Sequence, residues 1–200
     1  MVNIMILGLR GSGKDTVADH LERSQEYKKF ALADRIRRTC DVLGLTITKT
    51  NLIKIGEKVK EICGQTKWID LLDKDIELWI KDHNNYTEQY QLDEKPLHVI
   101  TDVRRTYEYS HYLEKGYIPV KIVSDFDKCV SRVVTRDGNI DMEAFGHSTE
   151  TEQAKLQGII IENNGSLEEL YAKVDKLIHM LEKESYYEQC MHLFRKELKG

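Results

Sequence analysis

A chain of 200 residues, 40% hydrophobic and 32% charged, with 12 glycines and only 2 prolines, is neither collagen-like, proline-rich nor strongly disordered; its length suits one domain with inserted parts. The formal net charge of -4 gives no general attraction to a nucleic acid polymer or an anionic membrane, so any bound anion must be held by basic groups placed locally. Cys40, Cys63, Cys129 and Cys190 show no CxxC pair and no histidine at zinc-ligand spacing, and read as reduced buried thiols of a cytoplasmic protein. The apolar run in "MVNIMILGLRG" is too short for a signal sequence or a membrane span and reads as a first strand, Val2 to Leu7.

In chain order, Lys14 to Arg23 carries Val17, Ala18 and Leu21 at helical spacing, and Tyr27 to Leu32 suits a brief second strand. Asp34 is placed to cap a helix through Leu43, and Ile53, Ile55, Val59 and Ile62 predict a further helix that stops at Gly64. Leu72, Ile76, Trp79 and Ile80 form one more stripe, so residues 34–93 are predicted as a helical insertion after the second strand. Strands follow at Leu97 to Thr101, Tyr117 to Val123 and Gly158 to Asn163. Helices are predicted over Thr106 to Lys115, Asp127 to Arg136 and the capping-box segment that opens with Ser166 and Glu169. The stretch "DGNIDMEAFGHSTETE" reads as a polar loop, and residues 183–200 as a packed terminal helix. Alternating strands and helices predict a doubly wound parallel sheet.

Gly8, Gly13 and Lys14 stand in the spacing G-x-x-x-x-G-K between an apolar strand and an amphipathic helix, the context of a phosphate-binding loop. Backbone N–H groups of residues 11–16 are expected to form a nest for phosphate at the helix N-terminus, with Lys14 reaching the β and γ phosphates. Arg10, Gly11, Ser12, Gly13, Lys14, Asp15 and Thr16 are therefore the expected ATP-binding loop. Asp15 stands where the usual pattern has the Mg²⁺-ligating hydroxyl, and is expected either to hold the metal's shell through water or to serve as a helix N-terminal charge. Asp102, ending a buried strand, is the candidate for a second carboxylate acting on Mg²⁺ through water. Arg104 beside it is the candidate for the phosphate of an acceptor. Arg132 and Arg136, four apart, share a helix face. Trp79 reads either as core or as a surface for stacking on a base.

"GSGKDT" at 11–16, "FALADRIR" at 30–37, "DKDIELWIKDH" at 73–83, "VITDVRRTYE" at 99–108, "HSTETE" at 147–152 and "IIIENNGSLEELYAKVDKLI" at 159–178 together resemble the phage and bacterial deoxynucleoside monophosphate kinases. The "GSGKD" loop and the "IEN" ending are also similar to animal-type phosphomevalonate kinases. The resemblance implies a P-loop NTPase three-layer α/β sandwich over 1–182, with a five-stranded parallel sheet, an acceptor-binding insertion and a short lid within 129–152. It implies transfer of the γ-phosphoryl group of ATP, with Mg²⁺, to a small phosphorylated acceptor, in the first place a nucleoside monophosphate. Phosphomevalonate and dephospho-coenzyme A are rival acceptors, and a non-catalytic nucleotide-binding regulator is the rival of another class. It further implies that Arg132 and Arg136 are lid arginines, that Asp34, Arg37, Arg104, His147 and Glu150 meet the acceptor, and that Asn163 and Asn164 lie near the ATP base. "DRIR" departs from the family, which commonly has Pro and Lys after that Asp. A homodimer is left open.

Overall fold

The computed structural model of the chain describes residues 2–138 and 148–197, the side chains of 148–151 and 197 excepted. It divides into two compact units, one of Met1–Lys29 with Leu97–Gly200 and one of Phe30–Pro96.

The five strands, β1 (Ile4–Leu7), β2 (Lys28–Ala31), β3 (His98–Thr101), β4 (Ile118–Val123) and β5 (Ile159–Glu162), form a parallel sheet in the order β2-β3-β1-β4-β5. Register pairs Ile4 with Val99 and with Ile118, and Val120 with Ile159. All four residues of β1 are buried, as a central parallel strand covered on both faces requires. Each fully buried aliphatic side chain of this kind contributes about 1.5–3 kcal/mol. Because the strands run parallel, their carboxyl ends share one edge. That edge gathers the segments after β1 (Gly8–Gly13), β3 (Asp102–Arg105), β4 (Ser124, Asp125) and β5 (Asn163–Gly165).

The flanking helices of this unit are α1 (Lys14–Ser24), α5 (Thr106–Glu114), α6 (Phe126–Asp137), α7 (Ser148–Lys155), α8 (Leu167–Leu181) and α9 (Glu184–Glu197). In α1 the buried residues are Lys14, Val17, Ala18 and Leu21, the expected stripe with the lysine added. Ser166 caps α8 by accepting the Glu169 N–H at 3.2 Å. Helix α9 packs on α5, α8 and β4 through buried Cys190 and Met191, and its Tyr187 hydroxyl donates to Gly116 O at 3.1 Å. Part of the polar loop expected at 137–152 is helical instead, since α7 begins at Ser148.

The second unit holds α2 (Leu32–Val42), α3 (Lys49–Cys63) and α4 (Lys67–Tyr90), packed on one another. Helix α2 starts two residues before the expected cap, so Asp34 lies in its first turn while Ala31 is the N-cap. Ile53 and Ile62 are exposed; the inward stripe of α3 is Leu52, Ile55, Gly56 and Val59, a truer i, i+3, i+4, i+7 set. Gly56 is buried, and its carbonyl accepts the Trp68 Nε1–H at 3.0 Å. Cys63 is exposed, unlike the other three thiols. Among the described residues no helix is long and apolar enough to cross a membrane.

Candidate functional site

The loop from Gly8 to Gly13 carries the site because its backbone bends where side chains cannot follow. Gly11 (φ 80°) and Gly13 (φ 103°) lie in the left-handed region. A Cβ on Gly11 would stand 2.3 Å from Cys129 O, and one on Gly13 2.3 Å from Asn163 Nδ2. The loop is thus pressed against α6 on one side and the end of β5 on the other. Gly13 then caps α1, whose first turn presents N–H groups and the positive end of the helix dipole.

A cavity of about 450 Å³ opens over this loop, lined by Gly11, Gly13, Lys14, Asp15, Thr16, Arg132, Arg136 and Asn163 among others. Lys14 is only 7% exposed, and its Nζ donates to Leu9 O at 3.1 Å. Ser12 is buried, and among the described residues its hydroxyl has no hydrogen-bond partner. An orphaned buried hydroxyl, a cradle that a Cβ would fill, and a buried ammonium fit a polyphosphate, which supplies acceptors to all three. The donor set suits the phosphates of ATP. For accompanying Mg²⁺, Asp15 lines the cavity while Asp102 and Asp125 leave strands at the same sheet edge, and among the described residues no three metal-binding side chains converge into a site of their own. Mg²⁺ would therefore rely on phosphate oxygens and water for most of its ligands.

Arg132 is fixed to the wall. Its Nη1 donates to Gly11 O at 3.3 Å and to Ser124 Oγ at 2.9 Å, and its Nη2 to Asn163 O at 3.0 Å and Asn163 Oδ1 at 3.4 Å. Asn163, buried, gives its Nδ2–H to Ser12 O at 2.8 Å. Its amide is spent on the loop and on Arg132 rather than held out toward a base. Asn164 ties the neighbouring segments, accepting the Asp125 N–H at 2.9 Å and returning Nδ2 to Asp125 Oδ1 at 2.9 Å.

Arg136 and Arg10 lie further out and share one carboxylate. Asp137 accepts from Arg136 Nε at 2.7 Å and Nη2 at 3.0 Å, and from Arg10 Nη2 at 2.6 Å. Arg136 and then Arg10 hold the Asp137 carboxyl far below the usual aspartate range. Asp15 also has a counter-charge, Lys29 Nζ at 3.6 Å, which sits 2.9 Å from Asp19 as well. Burial lowers the pKa of Lys29, but the Asp19 hydrogen bond and the two carboxylate charges more than reverse this, so the ammonium stays charged. One lysine thus lies between Asp15 and Asp19 and offsets part of their combined charge on α1.

Asp102 leaves β3 with φ 64°, an unusual backbone state that Asp tolerates better than most residues. Arg104 Nη2 donates to Asp102 Oδ1 at 3.4 Å. In the second unit Asp34 and Arg37 form an exposed ion pair at 2.8 Å, while Arg35 binds Asp75 through both Nε and Nη2. Trp79 stands edge-on to Phe30 with centroids 5.8 Å apart and next to His83 at 5.4 Å. His147 lies outside the described residues, and Glu150 is placed only as part of α7. Lys29, Ser124, Asp137 and Glu152 were not singled out from the sequence. Their roles depend on partners that only the fold brings close.

No family model matches the chain, and no curated protein does. Among solved structures it is similar to shikimate kinase from Acinetobacter baumannii in complex with shikimate, with a TM-score of 0.50 and 18% identity over 89% of this chain and 93% of that one. It is also similar to TT1252 from Thermus thermophilus (TM-score 0.48, 21% identity, 90% and 97% covered) and to a gluconokinase from Sinorhizobium meliloti 1021 (TM-score 0.48, 13% identity, 92% and 97% covered). The likeness to the shikimate kinase shows the fold: the parallel five-stranded α/β sandwich in which a glycine-rich loop follows the central strand.

Proposed function

We propose that this protein is an ATP-dependent kinase that passes a phosphoryl group to a small monophosphate, a nucleoside or deoxynucleoside monophosphate before others. The observation that carries the reading is the cradle itself: left-handed Gly11 and Gly13 and buried Lys14 line one cavity with Arg132, and the same loop holds the unsatisfied Ser12 hydroxyl. The preference for a nucleotide acceptor rests on the resemblance of the "GSGKDT", "VITDVRRTYE" and "IIIENNGSLEEL" stretches.

When bound, ATP with Mg²⁺ supplies the γ-phosphoryl group and part of the charge compensation. The chain's own residues position and neutralise. Lys14 exchanges Leu9 O for phosphate oxygen, and Arg132 holds a positive charge at the cavity wall without further reorganisation. Arg136 and Arg10 add charge once Asp137 yields them. Arg104 is assigned to the acceptor phosphate and Asp102 to the metal's water shell. Asp34, Arg37, His147 and Glu150 are assigned to the rest of the acceptor. No general base is required, because the acceptor phosphate is already ionised and phosphoryl transfer depends mainly on positioning and charge.

The test is a panel of nucleoside and deoxynucleoside monophosphates, phosphomevalonate and dephospho-coenzyme A, each assayed with ATP and Mg²⁺. The expected result is ADP release that depends on one nucleotide acceptor and yields its diphosphate. Transfer to another acceptor moves the substrate class. Slow ATP hydrolysis that no acceptor stimulates overturns the kinase reading in favour of a nucleotide-binding regulator.

A further inference from the structure

The segment between β3 and α5 carries Asp102 and Arg104, and it is held from outside its own element. Arg104 N–H and Arg105 N–H both donate to Glu108, at 2.8 and 3.0 Å, which is the helix capping itself. The next donors go elsewhere. Glu152 of α7, 46 residues further along the chain, accepts the Thr106 N–H at 2.7 Å and the Thr106 hydroxyl at 3.0 Å on one oxygen. Its other oxygen accepts Arg105 Nη1 at 2.9 Å. The adjacent Gln153, 1% exposed, gives Nε2–H to Val103 O at 2.8 Å. One turn of α7 therefore grips Val103, Arg105 and Thr106, on both sides of Arg104.

We propose that Glu152, assisted by Gln153, is a positioning residue that fixes the Asp102–Arg104 segment in its working geometry. The inference rests on the kinase reading above. Asp102 occupies a sparsely populated backbone state, and such states persist where the surroundings over-determine them. A carboxylate with three donors, one of them a backbone N–H, supplies that determination in a way a solvated surface pair does not. Burial works against the Glu152 carboxylate, yet the Thr106 and Arg105 hydrogen bonds outweigh it and keep the group ionised, as the grip requires. Displacement of a catalytic group by about 1 Å can cost on the order of 100-fold in rate.

The experiment compares wild type, Glu152→Ala, Glu152→Gln, Arg104→Ala and the double variant Glu152→Ala with Arg104→Ala, using ATP, Mg²⁺ and the acceptor the wild type accepts. Amide hydrogen exchange is followed at residues 103–106 and at 11–16. Glu152→Ala is expected to lower kcat by about tenfold or more, with KM for ATP within about twofold. Exchange should rise at 103–106 and stay unchanged at 11–16. Glu152→Gln, which keeps an acceptor for Thr106 but turns an amide N–H₂ toward the Arg105 guanidinium, should recover only part of the rate. In the double variant the two losses should not multiply, since Glu152 acts through Arg104. Multiplying losses, or an unchanged kcat while exchange at 103–106 rises, overturns the positioning role with the kinase reading intact. A wild type that phosphorylates no monophosphate overturns the kinase reading, and the inference falls with it.

Discussion

Arg132 and Arg136 sit four residues apart on one helix, yet the inner wall of the phosphate cavity and its mouth treat them differently. Arg132 is knitted into the loop by hydrogen bonds to Gly11, Ser124 and Asn163, all from elements that end on the same sheet edge. Arg136, with a side chain 58% exposed, shares Asp137 with Arg10. The inner wall is a fixed arrangement of backbone groups and one committed guanidinium. The mouth is a pair of cations sharing one carboxylate that water and salt also reach, and ion pairs of that kind are exchanged at little cost. The inner residues shape the cradle; under the proposed function the outer ones would hold charge in reserve for an incoming polyphosphate.

The largest effect is expected at the deepest group. Lys14→Ala should lower turnover by about 100-fold or more, with the far-ultraviolet circular dichroism of the chain retained. A variant that keeps most of its activity would show that the cradle is not where phosphate is neutralised. Gly13→Ala should destabilise the fold by about 2 kcal/mol, because it imposes a left-handed non-glycine residue and drives a Cβ onto the Asn163 amide. Urea unfolding measures this. Arg132→Ala and Arg136→Ala then separate the two regions. Arg132→Ala should cost about 1–3 kcal/mol of stability, since it removes the hydrogen bonds that tie α6 to Gly11, Ser124 and Asn163, while Arg136→Ala should leave the melting temperature nearly unchanged and act on KM for ATP. Equal stability losses would erase the distinction between wall and mouth.

The wall was legible in the sequence and the mouth only partly so. "GLRGSGKDT" dictates a strand, a bend that needs glycine and a helix start, all set by the backbone within a dozen residues. Arg132 and Asn163 were named, but their bonds to each other and to Gly11 come from strands β4 and β5 lying side by side, which no local pattern announces. Asp15 has a counter-charge in Lys29, a residue on a short strand whose contact with α1 depends on tertiary packing. In the second unit the helices were read correctly, but the α3 stripe only in part: Ile55 and Val59 face inward, the expected Ile53 and Ile62 are exposed, and Leu52, which the sequence reading passed over, takes their place because apolar side chains also lie on surfaces.

Smaller effects sharpen the mouth. Asp137→Asn should lower KM for ATP by about two- to fivefold at low salt, with the difference fading as ionic strength rises, because it loosens Arg10 and Arg136 in advance. An unchanged KM would mean that these arginines do not meet the nucleotide. The pairing has a defined pH signature. Its folded carboxyl titrates below the ordinary aspartate value of 3.8, so the stability it adds is complete above that value and disappears as pH falls below it. The difference in melting temperature between wild type and Asp137→Asn should accordingly be constant from about pH 7 to 5, shrink once pH falls below about 4, and vanish only below the folded carboxyl's own pKa. Asp15→Ser should change turnover by less than about threefold, since Lys29 already offsets part of the charge it removes.

The central claim is transfer from the cradle to a phosphorylated acceptor. Its most direct measurement is to supply ATP labelled in the γ phosphate, with Mg²⁺ and a nucleoside monophosphate, and to follow the label. The account predicts that the label appears on the acceptor as a diphosphate, and that Lys14→Ala abolishes its appearance. Label released only as inorganic phosphate, at a rate no acceptor changes, would contradict it.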